Sequence, residues 1–428
     1  MSIRPAAIIA TTAAALAATL AASSAASSAA SASRQQPAMH WSASWTSAMQ
    51  QPVASSPAMG ENWSMEGFSN QTVRQEVRVS GGGSLARIRL SNLDGTGPLR
   101  IAAATIAESA GGAATEPGTM RSLTFRGRRP VTILAGQVTA SDATGLHVAP
   151  LESLTVTLYL AAPTGPSTFH EDGLTTTYQA TGNHARDSGP AAFAGPTSHS
   201  YYYLTGVDVA TRHPGTVVAF GDSITNGHNS TASGNARYTD ALADRLVAAH
   251  RPLSVVNAGI TGNLLLHQLP CFGAAGITRF QRDALGQPGV RTVILMEGSN
   301  DIWDSQAAHG CGSMTTPAVT AGQIIDGFRA LIHAAHARGI KVVGATILPF
   351  KANYESAADF QRAEAIREAV NSWVLSSGEY DAVADFAAAV ADPADPQQLN
   401  PSYDSGDHLH PNDAGYRAIA AAIDIGSL

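Results

Sequence analysis

Five short apolar runs recur through the C-terminal half of the chain: Val217–Phe220, Val255–Asn257, Val293–Met296, Val342–Ile347 and Ala382–Phe386. Each is continuous rather than alternating. A strand that reads this way is covered on both faces, and in a parallel sheet the covers are crossover helices. Helix candidates separate the runs at Arg237–His250, Ile277–Leu285, Ala321–Arg338 and Ala357–Leu375. A last one, Asn412–Ile425, follows Pro411. The alternation from Thr216 onward predicts an α/β domain with a three-layer parallel sheet. Five strands favour a flavodoxin-like order.

Upstream the period changes. Val73, Val77 and Val79 alternate with Arg74, Glu76 and Arg78. Ile88 and Leu90 alternate with Arg87 and Arg89. Leu154, Val156, Leu158 and Leu160 alternate with Thr155, Thr157 and Tyr159. Period two argues for strands with one buried face. Gly81-Gly82-Gly83, Asp94-Gly95 and Ala135-Gly136 punctuate them as turns. Residues 40–205 therefore read as an all-β sandwich, and 206–428 as the α/β domain. Residues 184–200, rich in Gly, Pro, Ala and Ser, read as a loop or linker. Trp41, Trp45 and Trp63 could stack on sugars, but anchoring an edge strand or filling an interface is the weightier reading.

The first residues resemble an export signal. Arg4 precedes the apolar run Ala6 to Ala22, and Ala30-Ser31-Ala32 fits a small-residue cleavage site. Residues 1–32 are the expected signal peptide, 33–39 a flexible segment, and the mature protein is expected to be secreted with no membrane span. Removing residues 1–32 deletes one of 26 basic side chains and none of 33 acidic ones, leaving a net charge of −8. That balance offers no footprint for nucleic acid. Cys271 and Cys311 are the only two cysteines. In an exported protein they predict one disulfide, between loops that follow the second and third strands.

Four polar clusters fall at the ends of the proposed strands or in loops they feed. They are Gly221-Asp222-Ser223, Asn257 to Asn263, Glu297-Gly298-Ser299-Asn300-Asp301, and Asp407-His408-Leu409-His410-Pro411-Asn412. Ligands bind outside the carboxyl ends of strands in open parallel sheets. Ser223 is thus a candidate nucleophile, which needs a base. His410 can be that base, and Asp407, three residues earlier, can hold its ring. The three-residue spacing favours His410 over His408. Asp222 and Asp301, each beside a candidate, read as hydrogen-bond acceptors that stabilise loops.

In this order, Gly-Asp-Ser, Asn-x-Gly-x-x-Gly-Asn, Gly-x-Asn-Asp and Asp-x-x-His-Pro-Asn resemble the SGNH hydrolases, also called GDSL esterases and lipases. The likeness spans Thr216 to Ile425. Asn70-Gln71-Thr72-Val73-Arg74 and Arg89-Leu90-Ser91-Asn92 further resemble the β-domain of a secreted branch similar to xylanolytic esterases. The resemblance implies Ser223, Asp407 and His410 as catalytic residues. It implies an oxyanion hole of the Ser223 N–H, the Gly262 N–H and the Asn300 amide, with Gly259 as the rival to Gly262. Asn263, Glu297 and Trp303 are candidate pocket residues, Asn263 alternatively a loop brace. No metal or cofactor is implied.

The Gly-x-Ser-x-Gly elbow of α/β-hydrolases is absent, because Thr225 stands where its second glycine would be. The expected function is a serine carboxylic-ester hydrolase removing acetyl or other short acyl groups from carbohydrate. Lipid or aryl esters are the alternative substrates, and a non-catalytic carbohydrate-binding protein is the alternative class.

Overall fold

The computed structural model describes residues 39–57, 59–304, 314, 316–354 and 356–428. The proposed signal segment and Cys311 lie outside the described residues.

Five parallel strands form the C-terminal sheet: β1 (Thr216–Gly221), β2 (Ser254–Gly259), β3 (Val290–Met296), β4 (Lys341–Ala345) and β5 (Ala382–Ala384). Their order is β2-β1-β3-β4-β5, the flavodoxin-like order expected from the sequence. The inner strands have two apolar faces because a core lies on either side, while Val383 of the edge strand β5 is exposed. Val218 and Phe220 of β1 join Val293 and Leu295 of β3 in one cluster. Val217 and Ala219 join Ile294 and Met296 in the other. Helices Ala321–His336 and Ala357–Ser376 contribute Phe328, Leu331 and Val370 to the first core. Helices Tyr238–Ala248 and Asp413–Ala421 contribute Leu242, Leu246, Tyr416 and Ile419 to the second. The segment read as one helix over 277–285 begins as α-helix at Gly276–Phe280 and continues as a π-turn over Gln281–Leu285.

The β-rich region is built on two main antiparallel sheets, with two further two-stranded ones. One runs in the order His40–Thr46, Leu204–Thr211, Leu85–Asn92, Gln137–Ala140. The other centres on Gln71–Arg78 paired with Ser153–Leu160, which also pairs with Ala103–Glu108. Val73, Val77, Val156 and Leu158 of the second sheet share one apolar cluster with Ile88, Leu90, Val207 and Val209 of the first. That is a β-sandwich.

Two sequence expectations need correction here. The β-region does not stop at Thr205. Tyr203 takes a left-handed φ of 59°, and the chain then resumes as Leu204–Thr211 inside the first sheet. Asp208 disguised that strand as a connection. Its buried carboxylate accepts from Arg87 Nε at 2.8 Å and Arg89 Nε at 3.0 Å. The alternation also placed Arg74 on a wet face, yet Arg74 is fully buried. Its guanidinium donates to the Ala113 carbonyl and to Thr157 Oγ1, and lies 4.0 Å from the Phe193 ring. Burial lowers its pKa to about 10. The stretch 184–200, read as a linker, supplies that cover.

Trp63 packs inside, while Trp41 and Trp45 are half-buried, Trp41 under the Arg87 guanidinium at 4.3 Å. Trp63 stacks on Tyr202 with ring centroids 5.5 Å apart, and Trp45 meets the edge of Tyr201 at 4.8 Å. Strand His40–Thr46 also lies beside β2, the edge of the parallel sheet. Thr46 Oγ1 donates to the Asn257 carbonyl at 2.7 Å, and the Val255 N–H donates to Ser80 Oγ at 2.9 Å. Hydroxyl groups of the sandwich thereby satisfy outward backbone groups of an edge strand.

Candidate active site

Strand register brings three of the four polar clusters to one level. Gly221 is the partner of Gly259 in β2 and of Met296 in β3. The chain therefore leaves the sheet at Asp222, Ile260 and Glu297 side by side. After β1, Asp222 caps the one-turn helix Ser223–Asn226 by accepting the Ile224 N–H at 3.0 Å. A Cβ at Gly221 would lie 2.1 Å from the Met296 carbonyl oxygen, so only glycine fits this crowded turn. Ser223 then sits at the first helical position, where its N–H has no intrahelical acceptor.

The fourth cluster arrives from the other end of the chain. Asn412 caps the last helix, its Oδ1 accepting from Ala414 and Gly415. The loop just before it turns His410 towards Ser223, with His410 Nε2 at 2.8 Å from Ser223 Oγ. His410 Nδ1 is 2.6 Å from Asp407 Oδ2, and Asp407 Oδ1 accepts the N–H groups of Leu409 and His410. Asn229 Nδ2 donates to Asp407 Oδ2 at 2.8 Å. If Ser223 donates to Nε2, the imidazole proton is on Nδ1 and faces the carboxylate. His408 points away, exposed, with Nδ1 at 2.5 Å from Asp404.

Electrostatics matches this geometry. Burial pushes His410 below its ordinary value, more than its bond to Asp407 lifts it, and the charge of His228 adds to the depression. Burial alone would raise Asp407, but the hydrogen bond and charge of His410, with two backbone N–H groups, hold it well below the usual carboxylate range. A neutral imidazole beside an ionised carboxylate can take a proton from a serine hydroxyl.

Each residue expected to supply an oxyanion donor has a defined setting. Gly262 has φ of 77°, and a Cβ there would meet the Phe272 ring at 2.2 Å. The Gly259 N–H is already given to Asn257 Oδ1 at 2.8 Å, which removes Gly259 as the rival donor. Neither the Ser223 nor the Gly262 N–H meets a backbone acceptor among the described residues. Asn300 uses one Nδ2 hydrogen on the Asn263 carbonyl at 2.8 Å, leaving the other.

Two of the pocket candidates are elsewhere. Asn263 is fully buried, its amide donating to the Phe272 and Ala274 carbonyls while its Oδ1 accepts from Arg279 Nε. It braces the loop, the second of its two readings. Glu297 is also fully buried, 3.0 Å from Arg279. Burial drives its carboxyl up, against the pull of Arg279. Arg279 further donates to the carbonyls of Ala258 and Gly221 and lies 4.0 Å from the Phe220 ring. Asp301, as expected, accepts backbone N–H groups, those of Leu265 and Leu266. Trp303 does line a narrow cleft beside Ser223, with Ile224, Phe350, Asn353, Tyr354 and Leu409.

Sequence reading missed His228, Asn229 and Arg279, which carry the supports of the site. It also missed Asp172 of the sandwich, whose Oδ2 is 2.6 Å from His228 Nδ1. His228 and Asn229 follow Gly227 directly, so their position next to the serine turn was the available signal.

Residues 219–418 match the model of the GDSL-like lipase/acylhydrolase family. Among solved structures, the chain is similar to a putative lipolytic protein of the G-D-S-L family from Desulfitobacterium hafniense DCB-2. That match has 20% identity, covers 48% of this chain and 96% of the other, and has a TM-score of 0.36. It is similar to a GDSL-like lipase from Bacteroides thetaiotaomicron VPI-5482, at 19% identity, 50% and 87% coverage, and TM-score 0.35. It is likewise similar to a catalytic mutant of an acetylxylan esterase from Geobacillus stearothermophilus, at 21% identity, 49% and 91% coverage, and TM-score 0.37. No curated protein matches the chain.

Proposed function

We propose that this chain, whose residues 219–418 match a GDSL-like acylhydrolase domain, hydrolyses carboxylic esters through an acyl-enzyme on Ser223. The observation that carries the proposal is the 2.8 Å approach of His410 Nε2 to Ser223 Oγ, with Asp407 at 2.6 Å behind the ring. Ser223 Oγ attacks the ester carbonyl as His410 takes its proton. The Ser223 and Gly262 N–H groups and the free Asn300 hydrogen receive the charge that forms on the carbonyl oxygen. The intermediate collapses, His410 protonates the leaving alcohol, and the acyl group stays on Ser223. His410 then takes a proton from water. The resulting attack returns through the same oxyanion site to release the acid and the serine. Asp407 keeps the imidazole in the productive tautomer throughout.

The substrate in this reading is an acetyl or other short acyl ester on carbohydrate. The cleft beside Ser223 leaves only about 10 Å³ of accessible space, and Ile224, Phe350 and Leu409 give it an apolar wall. Such a pocket suits a few carbons better than a long chain. The reading also has the protein exported, with residues 1–32 removed, and Cys271 paired with Cys311. The test is a series of nitrophenyl esters of rising acyl length, together with acetylated xylan, given to the wild type and to Ser223→Ala. Turnover confined to short acyl groups and abolished by Ser223→Ala is expected. Turnover by Ser223→Ala overturns the mechanism, and preference for long chains overturns the substrate class.

A further inference from the structure

Asp172 belongs to the β-sandwich, in the loop directly after strand Phe169–His170, and is nine-tenths buried. Its single oxygen Oδ2 has three side-chain partners, all from the hydrolase domain. They are His228 Nδ1 at 2.6 Å, Thr261 Oγ1 at 2.8 Å and Asn226 Nδ2 at 3.1 Å. Asn226 Nδ2 also reaches the Asp172 carbonyl at 2.9 Å. Each partner adjoins a working part of the site. Asn226 ends the helical turn that Ser223 begins, and Thr261 immediately precedes Gly262. The ring of His228 stands edge-on to that of His410, with centroids 4.6 Å apart. His228 itself is held from both ends, its N–H donating to the Ser223 carbonyl at 3.0 Å and its carbonyl accepting from Tyr416 at 2.6 Å.

Resting on the assignment of Ser223 and His410 above, we propose that Asp172 is a positioning residue for ester hydrolysis, supplied by the β-sandwich. Through His228 it fixes the plane of His410 against Ser223. Through Asn226 and Thr261 it fixes the distance between the nucleophile and the Gly262 loop. The sandwich is on this account part of the catalytic apparatus for every ester, small soluble ones included.

Charge adds a readout that packing alone would not move. Burial lowers His228, but the hydrogen bond and charge of Asp172 overcome it and raise the ring above its ordinary value, with Asp407 adding to the effect. Burial raises Asp172, and the bond and charge of His228 with the Thr261 hydroxyl bring it down. Other titratable groups around the pair are His410, Asp407, Tyr416 and Arg237 of the hydrolase domain, and His170 and Glu171 on the sandwich side. A charged His228 depresses His410. In Asp172→Asn, His228 gives up its proton more readily; the direct lift of Asp172 on His410 is lost as well but is smaller than the depression by His228, so His410 protonates at higher pH.

The test measures kcat and KM of the full chain on nitrophenyl acetate from about pH 5 to about pH 8, the range in which histidines titrate. For Asp172→Asn the expected result is a loss in kcat approaching about a hundredfold, the scale of a misplaced reacting group. KM is expected to change little, and the acid limb of the profile to move to higher pH. If Asp172→Asn does not fold, His228→Gln carries the same readouts, since it removes only the ring that faces His410. Wild-type kcat and an unmoved acid limb in a folded variant overturn the proposal. If instead the wild type lacks turnover or Ser223→Ala retains it, the assignment of Ser223 fails, a result distinct from any outcome at Asp172.

Discussion

Arg279 Nε donates to Asn263 Oδ1 over 2.7 Å, and that bond joins the two halves of the site from beneath. Arg279 also donates to the carbonyl of Gly221, two residues before the nucleophile. The Asn263 carbonyl in turn receives the Asn300 amide. One buried guanidinium thus ties the serine turn to the Asn300 amide, flanked by Glu297 at 3.0 Å and Asp283 at 3.5 Å.

Arg279→Met is expected to destabilise the protein by about 3–5 kcal/mol, the usual cost of leaving one partner of a buried ion pair alone. Chemical denaturation monitored by circular dichroism measures it. Adding Glu297→Gln should return part of the loss, because the stranded side chain can then no longer ionise. A single variant as stable as wild type would show that the cation is dispensable.

Asn300→Ala removes a side-chain donor from the proposed oxyanion site. The expected effect is a fall in kcat of about 10²–10³-fold, with KM nearly constant, since the bond forms to charge that exists only in the transition state. Steady-state kinetics on a short acyl ester decides it. A change confined to KM would assign Asn300 to substrate binding.

The acid limb of activity should lie below about pH 6.5, the ordinary histidine value. Burial and the charge of His228 depress His410, so it stays neutral and active to lower pH than a free imidazole would. Activity is expected to be complete above that range and to fall as pH drops through the depressed value. A pH profile of kcat/KM in the wild type reads it, and a limb above 6.5 contradicts it.

Asp222 supplies a prediction on stability. Its carboxyl is raised to about 7 from 3.8, chiefly by burial. Between those values the folded protein keeps a proton that the unfolded chain has released. The stabilisation from this group is therefore complete below about pH 4 and is lost as pH rises through about 7. Asp222→Asn cannot ionise, so it should lose less stability than wild type between pH 5 and pH 8, about one titration range. Denaturation midpoints at the two pH values test the difference. Parallel losses in both proteins would contradict it.

Much of this arrangement was legible from residues alone. Runs such as Val217–Phe220 reported a sheet with two covered faces, and the motif positions placed Ser223, Asp407 and His410 before any distance was known. The choice of His410 over His408 also followed from spacing. Legibility failed where a polar side chain was paid for by distant partners. Arg74 and Asp208 interrupt an apolar pattern that sequence reads locally, while their partners come from other strands and loops. Asn263 and Glu297 flank pocket residues in the chain but turn inward to Arg279, an outcome that motif position does not encode. Asp172 had no local signal at all, because its role depends on how the two domains dock.

The seal on β2 bears on how the chain can be divided. Ser80 and Thr46 occupy the outward N–H of Val255 and the outward carbonyl of Asn257. A hydrolase domain cut free at Thr216 would present that strand with bare polar groups and no partner within the same molecule. Bare strand edges recruit other strands. The excised domain should self-associate in proportion to its concentration, and the sandwich then serves as a chaperone that never leaves its client.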